Sequence, residues 1–363
     1  MKTAVMLNRK PMWTALKVFA FLAAAAVLYL VVSHIGWRPI IEAVGSARRS
    51  SIWLAVALNF LVVVLLSLRV LVIMKPGERG HIFAMLPIYM AGMFGNVITP
   101  GARVGGEPIR AYYMAKAFGG TKTGHLGVLI ADKLSDIVTF MVLVILSVAF
   151  MALFVRLPLA TKIVLEAAVL IVILVVVSGL LLRRHMTKPG GLMSKLLSAI
   201  YNARPFKFMR QSFPSYQHFE DYAIGKLDSL LSPVDRTATS PGVISKVVAV
   251  SAVSWLVTFA AHWVLFLGLG AHVSFIKVAL IVTIANFCGD LSVAPGGAGF
   301  MEAAMIGVSA AVGVNSTTAA AVTLISRGIY YFYGLAVGGL CFVVLACLYG
   351  RSRVSAQDAA AGT

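Results

Sequence analysis

Two short stretches combine helix-breaking residues with charged side chains inside an otherwise apolar sequence. The first runs from Asn96 to Arg110 and contains Thr99, Pro100, Gly101, Arg103, Gly105, Gly106 and Glu107. Proline and glycine interrupt a membrane helix, and a charge at the bilayer centre costs from about 3 to above 10 kcal/mol unless it is paired. The combination therefore predicts a polar site that is enclosed by protein.

The second stretch, from Asp290 to Glu302, has the same features. When Pro100 is aligned with Pro295, the two halves of the sequence match without a gap in this region. Three further pairs are then aligned: Gly101 with Gly296, Glu107 with Glu302, and Asp132 with Arg327. The alignment indicates a weak internal repeat, in which an acid in one half matches a base in the other.

The chemistry that these residue types favour is the binding of an anion, most readily a phosphate group. Broken helices expose backbone N–H groups and the positive ends of helix dipoles. The planar fork of arginine suits a phosphate better than a lone ammonium group does. Arg103, Arg110 and Arg327 would hold the phosphate, while nearby carboxylates balance the charge, bind cationic groups or carry protons.

The predicted polar site is a set of charged and amide-bearing residues: Arg69, Asn96, Thr99, Arg103, Glu107, Arg110, Asp132, Lys133, Asp136, Asp290, Glu302 and Arg327. Its predicted helix breaks are Pro100, Gly101, Gly105, Gly106, Pro295, Gly296, Gly297 and Gly299. Because acids and bases are equally frequent among the candidates, we expect mostly ionised pairs around one shared cavity. Two structural alternatives are a lattice of ion pairs that only joins the helices, and an Arg69 side chain that extends to the membrane interface.

Composition places these residues in a membrane. The chain has 363 residues, of which 60% are hydrophobic and 12% charged, and its mean hydropathy is +0.92. Soluble domains carry about 25% charged residues, so the sequence predicts an integral α-helical membrane protein. The net charge of +18 favours basic cytoplasmic loops and contact with anionic lipid over nucleic-acid binding, since no soluble basic domain is evident. Isolated histidines and three cysteines in apolar segments predict neither a metal nor another cofactor.

The apolar pattern predicts about six full transmembrane helices and two re-entrant helical hairpins. The full spans are placed at 18–32, 52–73, 124–154, 163–182, 243–267 and 317–348, the first being an uncleaved anchor and not a signal peptide. The hairpins, at 83–118 and 276–314, have arms that are too short to cross a bilayer. Flanking basic residues place both termini in the cytoplasm, so the first hairpin would enter from inside and the second from outside. Weak repetition with opposite entry is typical of an inverted-topology repeat.

The sequence therefore predicts one polytopic domain of the cytoplasmic membrane with five consecutive parts. Residues 18–50 form the first anchor helix and an outer loop, and residues 51–182 form the first repeat. Residues 183–242 form a basic cytoplasmic connector, which is either a helical tie between the halves or a segment lying on anionic lipid. Residues 243–350 form the second repeat, and 351–363 a flexible cytoplasmic tail.

The paired motifs resemble those of a known membrane family. Thr-Pro-Gly-x-x-x-Gly-Gly-Glu before Arg110, with Ala-Pro-Gly-Gly-Ala-Gly-x-x-Glu ending at Glu302, is similar to the transmembrane, flippase part of lysylphosphatidylglycerol synthetases and to stand-alone flippase-like proteins. The resemblance implies movement of a phospholipid or a polyprenyl-phosphate-linked lipid between leaflets. No aminoacyl-transferase domain follows the last predicted span, so synthesis of the lysyl lipid is not expected and the cargo stays open.

Three functions are consistent with these residues. The first is a lipid translocase with an anionic or phosphate-bearing headgroup in the cavity, membrane lipids being its expected partners. The second is a membrane enzyme of polyprenyl-phosphate lipids with Asp132 or Glu107 as base, although no donor-binding region or metal site is evident. The third is a proton-coupled transporter of small solutes, which would use the same inverted repeat.

Overall fold

The computed structural model describes residues 37–78, 80–99, 105–154, 198, 215–292 and 294–350, and every regular element in these ranges is helical. The predicted anchor at 18–32, the span at 163–182 and the tail at 351–363 lie outside the described residues. So does the part of the predicted connector before residue 215, apart from residue 198.

Eleven α-helices are described. They are α1 Trp37–Ser46, α2 Arg49–Ile73, α3 Ile82–Ile98, α4 Glu107–Phe118, α5 Lys122–Phe154, α6 Tyr216–Thr239, α7 Pro241–Gly268, α8 Phe275–Leu291, α9 Phe300–Ala311, α10 Ser316–Tyr331 and α11 Gly338–Gly350. Short 3-10 helices cover Pro76–Glu78 and Pro295–Gly297, and a π-helix, Phe332–Val337, joins α10 to α11.

Three helices in the described part are long and apolar enough to cross a membrane: Arg49–Ile73, Pro241–Gly268 and the continuous segment Ser316–Tyr349. Helix α5, with 33 residues, is also long, but it carries Asp132, Lys133 and Asp136 within about one turn. By contrast, α3 has 17 residues and α9 only 12. At 1.5 Å per residue, α9 is about 18 Å long, well short of the roughly 30 Å hydrocarbon core. The all-helical membrane fold is confirmed.

Both broken segments double back on themselves. In the first, Gly80, before α3, lies against the ring of Phe118 at the end of α4. In the second, Lys277 near the start of α8 donates from Nζ to the carbonyl of Val312 after α9, at 3.1 Å. In each segment, the start of the first helix and the end of the second helix therefore lie at the same level of the molecule.

The open ends of these two segments are near opposite ends of α2. The turn after α4, at Gly120, shares a surface cavity with Lys75, which follows α2. At the other end, the N–H of Arg48 donates to the carbonyl of Gly268 at 3.0 Å, and Trp263 donates to the carbonyl of Val273, just before α8, at 2.9 Å. Helices α2 and α7 pack along each other and form the most extensive helix pair among the described elements.

Glycine permits the closest helix approach in each broken segment. A Cβ atom on Gly106 would overlap the backbone carbonyl of Gly92, so α3 and α4 meet there without intervening side chains. In the second segment, Gly297 has φ of +74° and lies against the backbone of Gly289. A side chain at either position would separate the two arms.

Two elements were not predicted from the sequence. Helix α1 occupies part of the predicted outer loop, and its Ile40 is fully buried against α9 and α10 by Ile306, Ala319 and Ala320. The π-helix interrupts the last predicted span, where Gly334 lies against Val97 of α3. Elsewhere in the described ranges, the predicted helix bounds agree with the structure to within a few residues.

Candidate functional site

A polar cavity of about 260 Å³ lies between the broken segments and the long helices. Helices from both halves of the sequence line it. Its polar and charged wall residues are Asn59, Arg69, Tyr89, Asn96, Glu107, Arg110, Asp132, Lys133, Asp136, Ser254, Thr258, His262, Asn286, Asp290, Ser326, Arg327, Tyr330 and Tyr333. This concentration of polar groups contrasts with the exposed apolar surface of the same helices, such as Trp53 of α2 at 72% and Leu256 of α7 at 54% exposure.

Arg69 of α2 is the most completely buried charge in the cavity wall. It is 2% exposed, and its Nε and Nη2 donate to the two carboxylate oxygens of Asp132, at 2.6 and 3.1 Å. Its Nη1 donates to Asp136 at 2.6 Å and to the hydroxyl of Ser251 at 3.0 Å. The two aspartates are one turn apart on α5, so they face α2 together. The interpretation that Arg69 extends to the interface is therefore wrong: the side chain ties α2, α5 and α7 together.

Arg110 of α4 forms the second ion pair. Its Nη1 donates to Oε1 of Glu107 at 3.0 Å, and its guanidinium lies 3.8 Å from the centre of the Tyr89 ring. Glu107 is in the first turn of α4, where the helix dipole favours a carboxylate. The arginine packs against Gly92, where a Cβ atom would overlap its side chain. Helix α3 thus provides both a flat aromatic surface and the space that Arg110 needs.

Arg327 of α10 forms the third ion pair, with Glu302 of α9. The Nε and Oε1 atoms are 2.5 Å apart, and both side chains are nearly fully buried. The Nη2 group donates to the carbonyl of Gly296 at 3.1 Å and to the hydroxyl of Tyr331 at 3.0 Å. Oε2 of Glu302 has no hydrogen-bond partner among the described residues. Arg327 therefore stabilises the second helix break by donating to the backbone carbonyl of Gly296, which is part of that break.

Neutral polar groups complete the wall. The Nδ1 atom of His262 lies 2.8 Å from the carbonyl of Thr258, and because a carbonyl only accepts, Nδ1 carries a hydrogen. In the neutral ring, Nε2 is then an acceptor. Asn59 donates to the carbonyl of Ala55 at 2.8 Å, which leaves its amide oxygen as an acceptor toward the cavity.

The charges around the cavity nearly cancel. Four bases, Arg69, Arg110, Lys133 and Arg327, line it. Four acids line it as well, and Glu302 lies directly behind Arg327. A buried charge that lacks a partner is strongly destabilising, which explains why each of the three arginines is paired. An anion that binds one of these three arginines must therefore compete with an existing ion pair.

Most of the predicted site residues are around this one cavity. Nine line it: Arg69, Asn96, Glu107, Arg110, Asp132, Lys133, Asp136, Asp290 and Arg327. Glu302 lies behind its partner, and Thr99 is at the end of α3, where its hydroxyl donates to the carbonyl of Gly95. Gly105 and Gly106 precede α4, whereas Gly296, Gly297 and Gly299 surround the second break with positive φ angles. Arg103, Pro100 and Gly101 lie outside the described residues; Pro295 begins the 3-10 turn.

The aromatic and hydroxyl-bearing residues around the arginines, and His262 in the cavity wall, were not predicted from the sequence. Tyr89 and Tyr331 contact the arginines, Ser251 accepts from Arg69, and His262 lines the cavity. The run Tyr330-Tyr-Phe-Tyr333 is a usable signal, since it follows Arg327 by one turn. Ser251 and His262 carry no comparable signal, because single polar residues are common on helices that pack in a bundle. Among the described residues, no group of three or more His, Cys, Asp or Glu side chains could hold a metal ion.

Comparison with known proteins identifies the chain's relatives. The model of the lysylphosphatidylglycerol synthase TM region family matches residues 16–338. A UPF0104 membrane protein of Methanothermobacter thermautotrophicus is 26% identical over 344 residues, covering 93% of this chain and 95% of the relative. A UPF0104 membrane protein of Methanocaldococcus jannaschii is 24% identical over 338 residues, covering 92% and 94%. The inner membrane protein YbhN of Escherichia coli is 30% identical over 96 residues, or 26% and 29% of the two chains.

Proposed function

We propose that this chain, which belongs to the lysylphosphatidylglycerol synthase TM region family, is a lipid translocase that moves a phospholipid or polyprenyl-phosphate-linked lipid between leaflets. The observation that carries the proposal is the polar cavity between the broken segments, which is lined by arginines from α2, α4 and α10 inside a membrane-embedded bundle. A bundle needs no such cavity for stability, because buried ion pairs are on average no better than apolar packing.

The size of the cavity fits a headgroup and excludes the tails. At about 260 Å³ it lies just below the 300–1,000 Å³ range of sites for drug-sized ligands. A phosphate with a small polar substituent can enter such a space, whereas acyl or polyprenyl chains would remain in the bilayer. Transport would then need only a polar path for the headgroup.

Charge balance determines how a phosphate would bind. Arg110 and Arg327 are each paired with a glutamate in the first turn of the helix that follows a break. A phosphate can replace the glutamate because it offers the same acceptor geometry to the guanidinium. The released glutamate would bind a cationic group of the lipid or take up a proton. In this exchange the arginine is never left unpaired, which keeps the cost of occupancy small.

Alternating access would come from the two broken segments. Their open ends near opposite ends of α2, the aligned Glu107 and Glu302, and the aligned Pro100 and Pro295 support an arrangement as re-entrant hairpins of an inverted repeat. Rocking of one repeat against the other would open the cavity first to one leaflet and then to the other. In the proposed orientation, both termini are in the cytoplasm.

Reconstitution into liposomes tests the proposal directly. Fluorescent analogues of phosphatidylglycerol and phosphatidylethanolamine, and a short polyprenyl phosphate, are assayed for movement between leaflets with a membrane-impermeant quencher. We expect wild type and the exposed control variant Lys246→Gln to accelerate movement of at least one lipid, and Arg327→Gln to reduce it by about tenfold or more. Equal rates for wild type, Arg327→Gln and empty liposomes would contradict the proposal. Solute flux or lipid turnover without transbilayer movement would favour the transporter or the enzyme.

A further inference from the structure

A second cavity lies apart from the cavity between the broken segments, which is the proposed transport site. It lies where the start of α5, the second half of α6 and the segment after α2 meet. It has a volume of about 310 Å³ and is lined by Lys75, Thr121, Gly124, His125, Asp228 and Arg236, among others. None of these residues lines the cavity between the broken segments. Its position beside the open end of α3 and α4 places it on the proposed cytoplasmic face.

The first turn of α5 provides backbone donors at this cavity. The turn before the helix has two successive glycines with positive φ, Gly119 at 77° and Gly120 at 76°. The hydroxyl of Thr121 accepts from the N–H of Gly124 at 3.0 Å, which fixes the first turn. Helix α5 has 33 residues, so its N-terminus carries the full positive end of a helix dipole.

His125 is an independent sign that a ligand belongs here. It lines the cavity, is only 2% exposed, and its Nδ1 has no hydrogen-bond partner among the described residues. Its Nε2 lies 2.6 Å from the carbonyl of Gly119, and since a carbonyl only accepts, Nε2 carries the hydrogen. In the neutral ring Nδ1 is then an acceptor, and a buried acceptor without a partner costs free energy, which a ligand that donates an exchangeable proton would recover.

The charges identify the class of ligand. Lys75 follows α2, and Arg236 of α6 donates to the carbonyl of Ile73, which positions its guanidinium across the cavity from α5. The exposed Asp228 is the one acid among the lining residues of the described part. Two bases, a helix N-terminus and a buried histidine outweigh one acid. A phosphate group that keeps a proton, as inorganic phosphate or a phosphate monoester does, satisfies all of them, because it accepts several hydrogen bonds and donates its proton to Nδ1.

We infer that this second cavity binds a phosphate group that carries a proton, either free or as the phosphate monoester headgroup of a lipid in the adjacent leaflet. Bound phosphate would connect α2, α5 and α6, three helices of which two also carry the Arg69 ion pairs of the transport site. The second cavity is thus placed to stabilise one arrangement of those helices.

Binding of radiolabelled inorganic phosphate to the full chain in a phosphate-free glycoside detergent tests the inference. Lys75→Gln and Arg236→Gln should each weaken binding by about tenfold, whereas the exposed control Lys116→Gln should not. Asp228→Asn should tighten binding, an opposite change that loss of fold cannot produce. Arg110→Gln serves to remove any contribution from the transport site and should leave the Lys75-dependent binding in place.

Competition then distinguishes the two sources of phosphate. Displacement of the label by dihexanoyl phosphatidic acid, a phosphate monoester, at lower concentrations than by inorganic phosphate identifies a lipid headgroup, and the reverse order identifies the free ion. Absence of bound phosphate, or binding that is equal in Lys75→Gln, Asp228→Asn and wild type, overturns the inference.

Discussion

The buried charges among the described residues occur in ion pairs or in the Arg69 cluster, and that arrangement determines what a single substitution does. Arg69 satisfies two aspartates and a serine, so its removal would leave two carboxylates facing each other without a cation. A broken buried pair costs about 3–5 kcal/mol, whereas replacing all its members by neutral groups is often tolerated. Substitutions in the Arg69 cluster can therefore show whether the protein needs charged residues at these positions or only needs every charge there to be paired.

We expect Arg69→Gln to lower the thermal stability of the purified protein more than the triple variant Arg69→Gln/Asp132→Asn/Asp136→Asn does. The physical reason is that the triple variant leaves no buried charge unpaired. The measurement is thermal unfolding in detergent, with Lys246→Gln as the exposed control. If the triple variant unfolds at a lower temperature than the single variant, the ion pairs stabilise the fold through more than the cancelling of their charges.

The two glutamates at aligned positions provide a test of ligand exchange at the arginines. Glu107→Gln and Glu302→Gln each free an arginine from its competing carboxylate. We expect both variants to bind a short-chain phospholipid about tenfold more tightly and to transport it more slowly, because release becomes the slow step. Binding and transport that fall together would contradict exchange and assign the glutamates to structure.

Residue chemistry was easier to predict from the sequence than residue partners. The sequence identified Arg69, Asp132 and Asp136 as unusual charges, but it offered no reason to pair them. Sequence spacing determines which residues share a helix face, whereas the opposing side chain is determined by how α2 packs on α5. Tyr89 was missed for the same reason, since its contact with Arg110 depends on how α3 and α4 approach.

At the scale of elements, the broken segments depend on glycines more than on their charges. Gly106 has an ordinary backbone conformation, with φ of −80°, so its requirement is for space and not for a special dihedral angle. The neighbouring carbonyl of Gly92 cannot move without disturbing α3, which also carries the aromatic surface under Arg110.

We expect Gly106→Ala to destabilise the protein by about 1–3 kcal/mol, because an added methyl group would separate α3 from α4. Gly307→Ala is the matched control, since no atom lies within 4 Å of a Cβ placed at that position. In the helix interior, that control should be neutral or stabilising by up to about 1 kcal/mol. Chemical unfolding of both variants is the measurement, and equal stability would show that the close approach is dispensable.

Helix bounds were predicted well because long apolar runs and Pro-Gly interruptions act locally. Helix α4 begins at Glu107, directly after the predicted break residues Gly105 and Gly106, and Pro108 suits its first turn. The π-helix at Phe332–Val337 was not predictable in this way, because its single Gly334 lacks the neighbouring proline that marks the two breaks. Helix α1 was missed because its single apolar face depends on burial against α9 and α10.

At the scale of the whole molecule, the contacts define which ends lie together, and the membrane side is an additional proposal. His81 and Lys116 are exposed near the open end of the first broken segment, whereas His272 and Asn315 are exposed near that of the second. In the proposed topology, the first pair is cytoplasmic and the second external.

Single cysteines at these four positions test orientation and opposite entry in one experiment. The background replaces Cys288, Cys341 and Cys347, and intact cells receive a membrane-impermeant thiol reagent before or after permeabilisation. We expect His272→Cys and Asn315→Cys to react in intact cells, and His81→Cys and Lys116→Cys only after permeabilisation. Reversal of both pairs would keep the inverted repeat and invert the orientation. Reaction of one member of a pair from each side would mean that its broken segment crosses the bilayer, which would remove the structural basis proposed for alternating access.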